Sequence, residues 1–281
     1  MKRIITAAIA LCIAASAYSQ SLSALLIPTD CRSLAMGGAT LRPDAPELEA
    51  DAYFGKWAPG TVDNTVVGAD VWFRIGSRLA LSLGGKDFMD KPYGISGEEG
   101  AVKNTFKPYD LIFSLGADYF VNDAISAGLK LRTITSALAE KATGSAFCAD
   151  IYAAYSGGNW TAAISGRNLG TKINYGGGDW PLPALIAADG SWAPIKGLKV
   201  AAEADYLLSG ALMAAAGAEY CIADIAFVRA GFHYGDEAKA LPTFVSVGAG
   251  AQFKGISLDA AFLLASKTIG NSLMVSLGYS F

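Results

Sequence analysis

The chain has 281 residues, 52% hydrophobic and 17% charged, with a formal net charge of -3 and a mean hydropathy of +0.34. That balance excludes a basic nucleic-acid binder. With 32 glycines and 10 prolines a helical bundle is disfavoured, and past the first twenty residues no uncharged apolar run is long enough for a spanning helix.

Residues 1–19 read as a secretory signal. Lys2 and Arg3 precede an uncharged apolar run from Ile4 to Ala17, and small residues stand at Ala17 and Ser19. Leu11 is too large to precede a lipoprotein cysteine at Cys12. Cleavage near Ser19 leaves a chain that starts at Gln20, and losing Lys2 and Arg3 takes the formal charge from -3 to -5. Residues 20–47 are expected to form a short N-terminal plug or periplasmic segment. Residues 48–281 are expected to form an outer-membrane β-barrel.

The barrel follows from the backbone. In a bilayer every unpaired backbone group costs several kcal/mol, so a spanning chain without helices must close a sheet on itself. A soluble β-sandwich would need fewer outward apolar residues. In chain order, the first strand is Leu48 to Trp57. Then Val67, Ala69, Val71, Phe73 and Ile75 oppose Asp70 and Arg74. Leu111, Phe113, Leu115, Ala117 and Tyr119 oppose Asp118; Ile125, Ala127, Leu129 and Leu131 oppose Lys130 and Arg132. Phe147, Ala149, Ile151, Ala153 and Tyr155 oppose Asp150, and Trp160, Ala162 and Ile164 oppose Arg167. The same alternation sets Glu203 and Asp205, Glu219, Arg229 and Asp259 against apolar faces. A Lys or Arg facing lipid at the midplane costs roughly 2–4 kcal/mol, and none of these charges shares the apolar face. This is an all-β fold, an antiparallel up-and-down transmembrane barrel. Thirteen strands follow from Thr65 on, and Leu48–Trp57 makes the number even, fourteen. Asp118, Lys130, Arg132, Asp150, Arg167, Glu203 and Arg229 are the lumen-lining candidates.

Connections alternate in length. Short ones fall at Gly76-Ser77, Val121 to Asp123, Gly157 to Asn159, Pro194 to Gly197, Ile222 to Asp224 and Lys254-Gly255; longer ones at Lys91 to Pro108, Ala139 to Gly144, Gly170 to Leu182, Asp236 to Pro242 and Lys267 to Gly270. The short Ser209-Gly210 is an exception in the longer set. Short turns mark the periplasmic side. Phe281, closing an alternating strand, is expected to act as an assembly signal read by the barrel-assembly machinery.

Catalytic chemistry is absent from the sequence: there is no HExxH, GxSxG or Walker loop. His233 is the only histidine, and a lone lumen histidine reads as a hydrogen-bonded wall residue. Asn174 to Trp180 reads as a flexible loop. Cys31, Cys148 and Cys221 are an odd number, with no bond expected between Cys148 and Cys221. No cofactor or metal site is expected, and the reading is non-enzymatic.

Two stretches, Cys31 to Leu41 (CRSLAMGGATL) and Arg167 to Trp192 (RNLG followed by PLP), resemble segments of the PorV/PorQ-like outer-membrane proteins of Bacteroidetes, which are similar to FadL-type barrels. The resemblance implies fourteen strands with an N-terminal segment entering the lumen. It also implies a close passage of Gly37-Gly38 along the wall. As function it implies an accessory role in type IX secretion, with secretion components or cargo C-terminal domains as partners beside outer-membrane lipid. A FadL-like passive channel for small molecules, apolar ones included, is the alternative, favoured by the modest external loops.

Overall fold

The computed structural model describes residues 22–40, 47–58, 63–96, 102–236, 240–265 and 270–281. The signal segment with its cleavage site, and Arg42 and Asp44 of the N-terminal segment, lie outside the described residues.

Strand alternation of period two dictates a sheet with two unlike faces, and closure satisfies every edge. Fourteen strands close the barrel. They are β1 (Leu48–Trp57), β2 (Asn64–Ile75), β3 (Leu79–Met89), β6 (Tyr109–Phe120), β7 (Ile125–Ala139), β8 (Ala142–Gly157), β9 (Trp160–Gly170), β12 (Leu185–Ile195), β13 (Leu198–Leu207), β14 (Ala211–Ile222), β15 (Ala226–Gly235), β16 (Phe244–Phe253), β17 (Ile256–Ala265) and β18 (Ser272–Ser280). Each pairs antiparallel with its neighbours, and β1 closes on β18 from Glu49↔Ser280 to Lys56↔Leu273. The backbone of Phe281 completes the seam. Its nitrogen donates to the Leu48 carbonyl at 2.9 Å, and its carbonyl accepts from Glu47 and Leu48.

The outer face carries the apolar set: Leu115, Leu129, Ile151, Ile164, Leu212, Val228 and Leu258 are all exposed. Exposed aromatics gather at the short-turn rim, among them Tyr119, Tyr155, Trp160, Trp192, Tyr220 and Tyr279, with Tyr155 and Trp160 in contact. A rim of amphipathic rings is what a membrane interface selects.

The long-connection end departs from the loops expected there. Lys91 to Pro108 holds a hairpin, β4 (Tyr93–Ser96) with β5 (Val102–Phe106), and Gly170 to Leu182 holds another, β10 (Lys172–Asn174) with β11 (Asp179–Pro181). The glycine run is the turn of that second hairpin, with Gly176 and Gly178 at positive φ. The expected loop at Ala139 to Gly144 shrinks to two residues, because β7 and β8 stay paired to Ala139↔Ala142.

Candidate functional site: the lumen and its plug

Residues 22–40 run inside the barrel. A 3-10 turn (Ser23–Leu25) leads into α1 (Cys31–Ala35). Asp30 caps α1 by accepting from the Arg32 and Ser33 amides at 2.9 and 3.0 Å. The helix stops at Gly37 and Gly38, whose φ values of 79° and 88° suit glycine, and the Gly38 amide returns to the Ser33 carbonyl at 2.8 Å.

The wall is shaped to receive this stop. Across β13 to β16 one row of inward positions reads Ala201, Gly217, Gly231, Ser246. A Cβ on Gly217 or Gly231 would overlap the Met36 backbone, and one on Gly37 would overlap the Phe232 backbone. Ser246 Oγ fastens the contact, accepting from the Gly37 amide and donating to the Ala35 carbonyl, both at 2.9 Å. His233 adds a ring nitrogen, Nδ1, 3.1 Å from the Gly37 carbonyl, and stacks on Phe244.

Charge holds the plug from two more sides. Arg32 donates through Nε and Nη2 to Glu219 at 2.7 and 2.6 Å. Glu219 also accepts from Arg229 Nε at 2.7 Å, and Arg229 reaches Asp259. Lys86 donates Nζ to the Ala24 and Ile27 carbonyls at 2.6 and 3.1 Å. Burial pushes the Cys31 thiol on α1 up to about 12, so it stays protonated and inert.

The lumen divides in two. At the long-connection end, Leu22, Ala24, Leu25 and Ile27 pack with Trp57, Phe88, Ile134, Leu207, Phe244, Leu263 and Met274 into one apolar cluster. Toward the short-turn end lies a cavity of about 1220 Å³ that reaches turn residues Ser77, Asn122 and Asn159. Asp118, Lys130, Arg132, Asp150, Arg167 and Glu203 border this cavity, while Arg229 is buried in the wall beneath α1.

These side chains form networks. Asp118 accepts from Trp72 Nε1 and the Tyr152 hydroxyl, both at 2.8 Å. Lys130 stands across from Asp150. Arg132 binds Asp150 and donates to Asn168 Oδ1 at 2.7 Å. Asn168, at φ 55°, is the extra residue of a bulge in β9, where pairing steps from Ala149↔Leu169 to Ile151↔Gly166. Its amide donates to Asp150 at 2.8 Å and its side chain to the Pro183 carbonyl at 3.1 Å. Arg167 donates to Glu203 at 2.7 Å, and Glu203 accepts from the Thr40 amide at 2.6 Å. The RNLG and PLP segments thus meet at the bulge, and the plug reaches Arg167 of the first through Thr40 Oγ1 at 3.2 Å.

Sequence reasoning missed Lys86, Trp72, Asn168 and Ser246. The strand carrying Lys86 has Gly84-Gly85 in its middle, which belong to no face. Asn168 lies in the quoted RNLG stretch, but a bulge residue has no alternation to betray it. The three described cysteines are unbridged. Among the described residues no group of His, Cys, Asp and Glu is arranged to hold a metal ion.

No protein-family model matches the chain, and no curated protein matches it. Solved structures do. The toluene transporter TbuX of Ralstonia pickettii superposes with a TM-score of 0.63 at 14% identity, over 91% of this chain and 99% of that one. The CymD monoaromatic hydrocarbon channel gives 0.60 at 14%, over 94% and 98%. A Pseudomonas aeruginosa FadL homologue gives 0.55 at 13%, over 92% and 99%. These likenesses lend no support to the PorV/PorQ-like resemblance; what they share with the chain is the fold, a closed 14-strand antiparallel barrel.

Proposed function

We propose that this chain is a passive outer-membrane channel for small apolar molecules. One observation carries the reading: the outer half of the lumen is a continuous apolar cluster, not the wet charged constriction that passes sugars and ions. A solute entering there exchanges water for Trp57, Phe88, Leu207 and Phe244, at roughly 25 cal/mol for each Å² of apolar surface removed from water. The fold shared with hydrocarbon channels supports the same reading. The role is non-enzymatic, and the partners proposed are outer-membrane lipid and the barrel-assembly machinery. The secretion role, with type IX components or cargo C-terminal domains as partners, has no comparison behind it.

The test compares uptake of radiolabelled toluene and of glucose by cells with and without the barrel in their outer membrane. Faster toluene uptake with unchanged glucose uptake is expected. An equal gain for both solutes makes it a general pore, and a gain for neither refutes the channel.

A further inference from the structure

The second external hairpin does not stand clear of the barrel. It folds back over the outer mouth and sits on one row of inward wall positions. In that row Asp110 faces Ser136 across β6 and β7, and Ser136 faces Gly144 across β7 and β8. Tyr175, just past β10, donates its hydroxyl to Ser136 Oγ at 2.9 Å. Ser136 is fully buried and tied in turn to Asp110. Gly144 is the seat for β10: a Cβ there would meet the Asn174 carbonyl oxygen at 2.6 Å and Ile173 Cγ1 at 2.7 Å. Ile173 is 0% exposed and belongs to the apolar cluster of the outer lumen. Lys172 and Asn174 on either side of it are exposed, so β10 alternates as a strand does, with its apolar side turned into the mouth.

The hairpin is built as one stiff piece. β10 and β11 pair from Lys172↔Pro181 to Asn174↔Asp179. Asn174 Nδ2 donates to Asp179 at 2.8 Å, and Asn174 Oδ1 accepts from the Gly176 amide at 2.7 Å. Both legs are fastened at the wall. Thr171 exchanges bonds with the Phe147 backbone at 2.9 and 3.0 Å, and the Pro183 carbonyl accepts from Asn168 at 3.1 Å. At the tip, a Cβ on Gly176, Gly177 or Gly178 would meet nothing within 4 Å. Between fastened legs and free tip, the hairpin is held down by Tyr175 on Ser136 and by Ile173 in the cluster.

We propose that the β10–β11 hairpin is a lid on the outer mouth, opened when an apolar solute takes the place of Ile173. Swinging the lid out empty would leave a cavity beneath it and put Ile173 in water, and both oppose opening. An apolar solute refills the cavity and removes the first of these costs. A sugar cannot, because its hydroxyls would lose their water without gaining partners in the cluster. Opening is thus coupled to the class of solute, since only the open form takes it up. The inference deepens the channel reading and rests on it for the solute; the lid itself stands on the hairpin's own contacts.

The test is maleimide labelling of Ile173→Cys in the purified full-length barrel in non-ionic detergent, read by peptide mass spectrometry so that the native thiols are told apart. The new thiol is buried while the lid is closed and in water when it is open. Labelling is expected to be slow, to quicken with toluene concentration and to ignore glucose. Adding Tyr175→Phe removes one neutral hydrogen bond and leaves Ser136 with Asp110, so labelling should quicken about fivefold. Labelling that is fast from the outset overturns the lid, as does a rate that fails to respond to toluene or to Tyr175→Phe. Should Ile173→Cys fail to assemble, Leu182→Cys takes its place, on the second leg and buried in the same cluster. Toluene-dependent labelling without toluene uptake by cells would keep the lid and remove the channel; uptake without it would do the reverse.

Discussion

Arg32→Ala tests how the plug is held. The change removes two charge-assisted hydrogen bonds, at 2.7 and 2.6 Å, to a carboxylate whose side chain is 4% exposed. Breaking a buried ion pair outright costs about 3–5 kcal/mol, because a bare charge is left behind. Here Glu219 keeps Arg229 at 2.7 Å, and the Arg32 side chain is 32% exposed and so partly screened. The loss should therefore fall to about 1.5–2 kcal/mol, or about tenfold to thirtyfold in the undocking equilibrium. Lys86 still grips the Ala24 and Ile27 carbonyls, and Ser246 still grips the chain at Gly37. The plug should therefore stay docked, and the effect should appear as motion. Hydrogen–deuterium exchange on the purified barrel should show the amides of residues 31–38 exchanging about tenfold faster, with the wall strands unchanged. Unaltered exchange in a barrel that still migrates differently boiled and unboiled would refute the latch. Full release of the plug would refute the ledger, since it would make one ion pair outweigh all the other anchors.

Three further outcomes follow from the same geometry. Leu129 faces outward and Lys130 borders the lumen cavity, so Leu129→Arg should block outer-membrane assembly at a cost of roughly 2–4 kcal/mol while Lys130→Ala assembles; gel mobility of boiled and unboiled membranes reads both. Deleting Phe281 removes the backbone bonds joining it to Glu47 and Leu48 across the β1–β18 seam, and outer-membrane yield should fall sharply by immunoblot; wild-type yield would show that the seam closes without them. In the intact barrel a maleimide should modify half-buried Cys221 and spare Cys31, which is buried and held protonated with a pKa of about 12; mass spectrometry before and after denaturation tells the thiols apart.

Much of the barrel was legible because lipid imposes one rule on every strand. Outward residues from Val67 to Leu277 are apolar or small except near the long-connection rim, where Asp87 pairs with Val67 and Leu111, so charges such as Glu203 and Asp259 betrayed the inward face. The external hairpins were not legible: above the membrane both faces are wet, and the alternation that marks a strand has no cause. The same holds for β7 and β8, which stay paired beyond the expected loop start at Ala139. The plug gave one signal, the Gly37-Gly38 pair, while its helix, its Asp30 cap and its partners were invisible. Gly217 and Gly231 look like any strand glycine until Met36 and Gly37 lie on them.

The two halves of the lumen put opposite demands on those anchors. Residues 22–27 pack into the outer cluster through apolar side chains, which are interchangeable with an apolar solute. Residues 32–40 are fixed by directional bonds to Glu219, Ser246 and Glu203, which such a solute cannot replace. In the channel proposed above, a molecule entering from the outer end would compete with Leu22, Leu25 and Ile27 for their places without disturbing α1. Lys86, bonded to Ala24 and Ile27 from the wall, is where that competition would first be felt. It ties an exchangeable apolar stretch to a fixed charge.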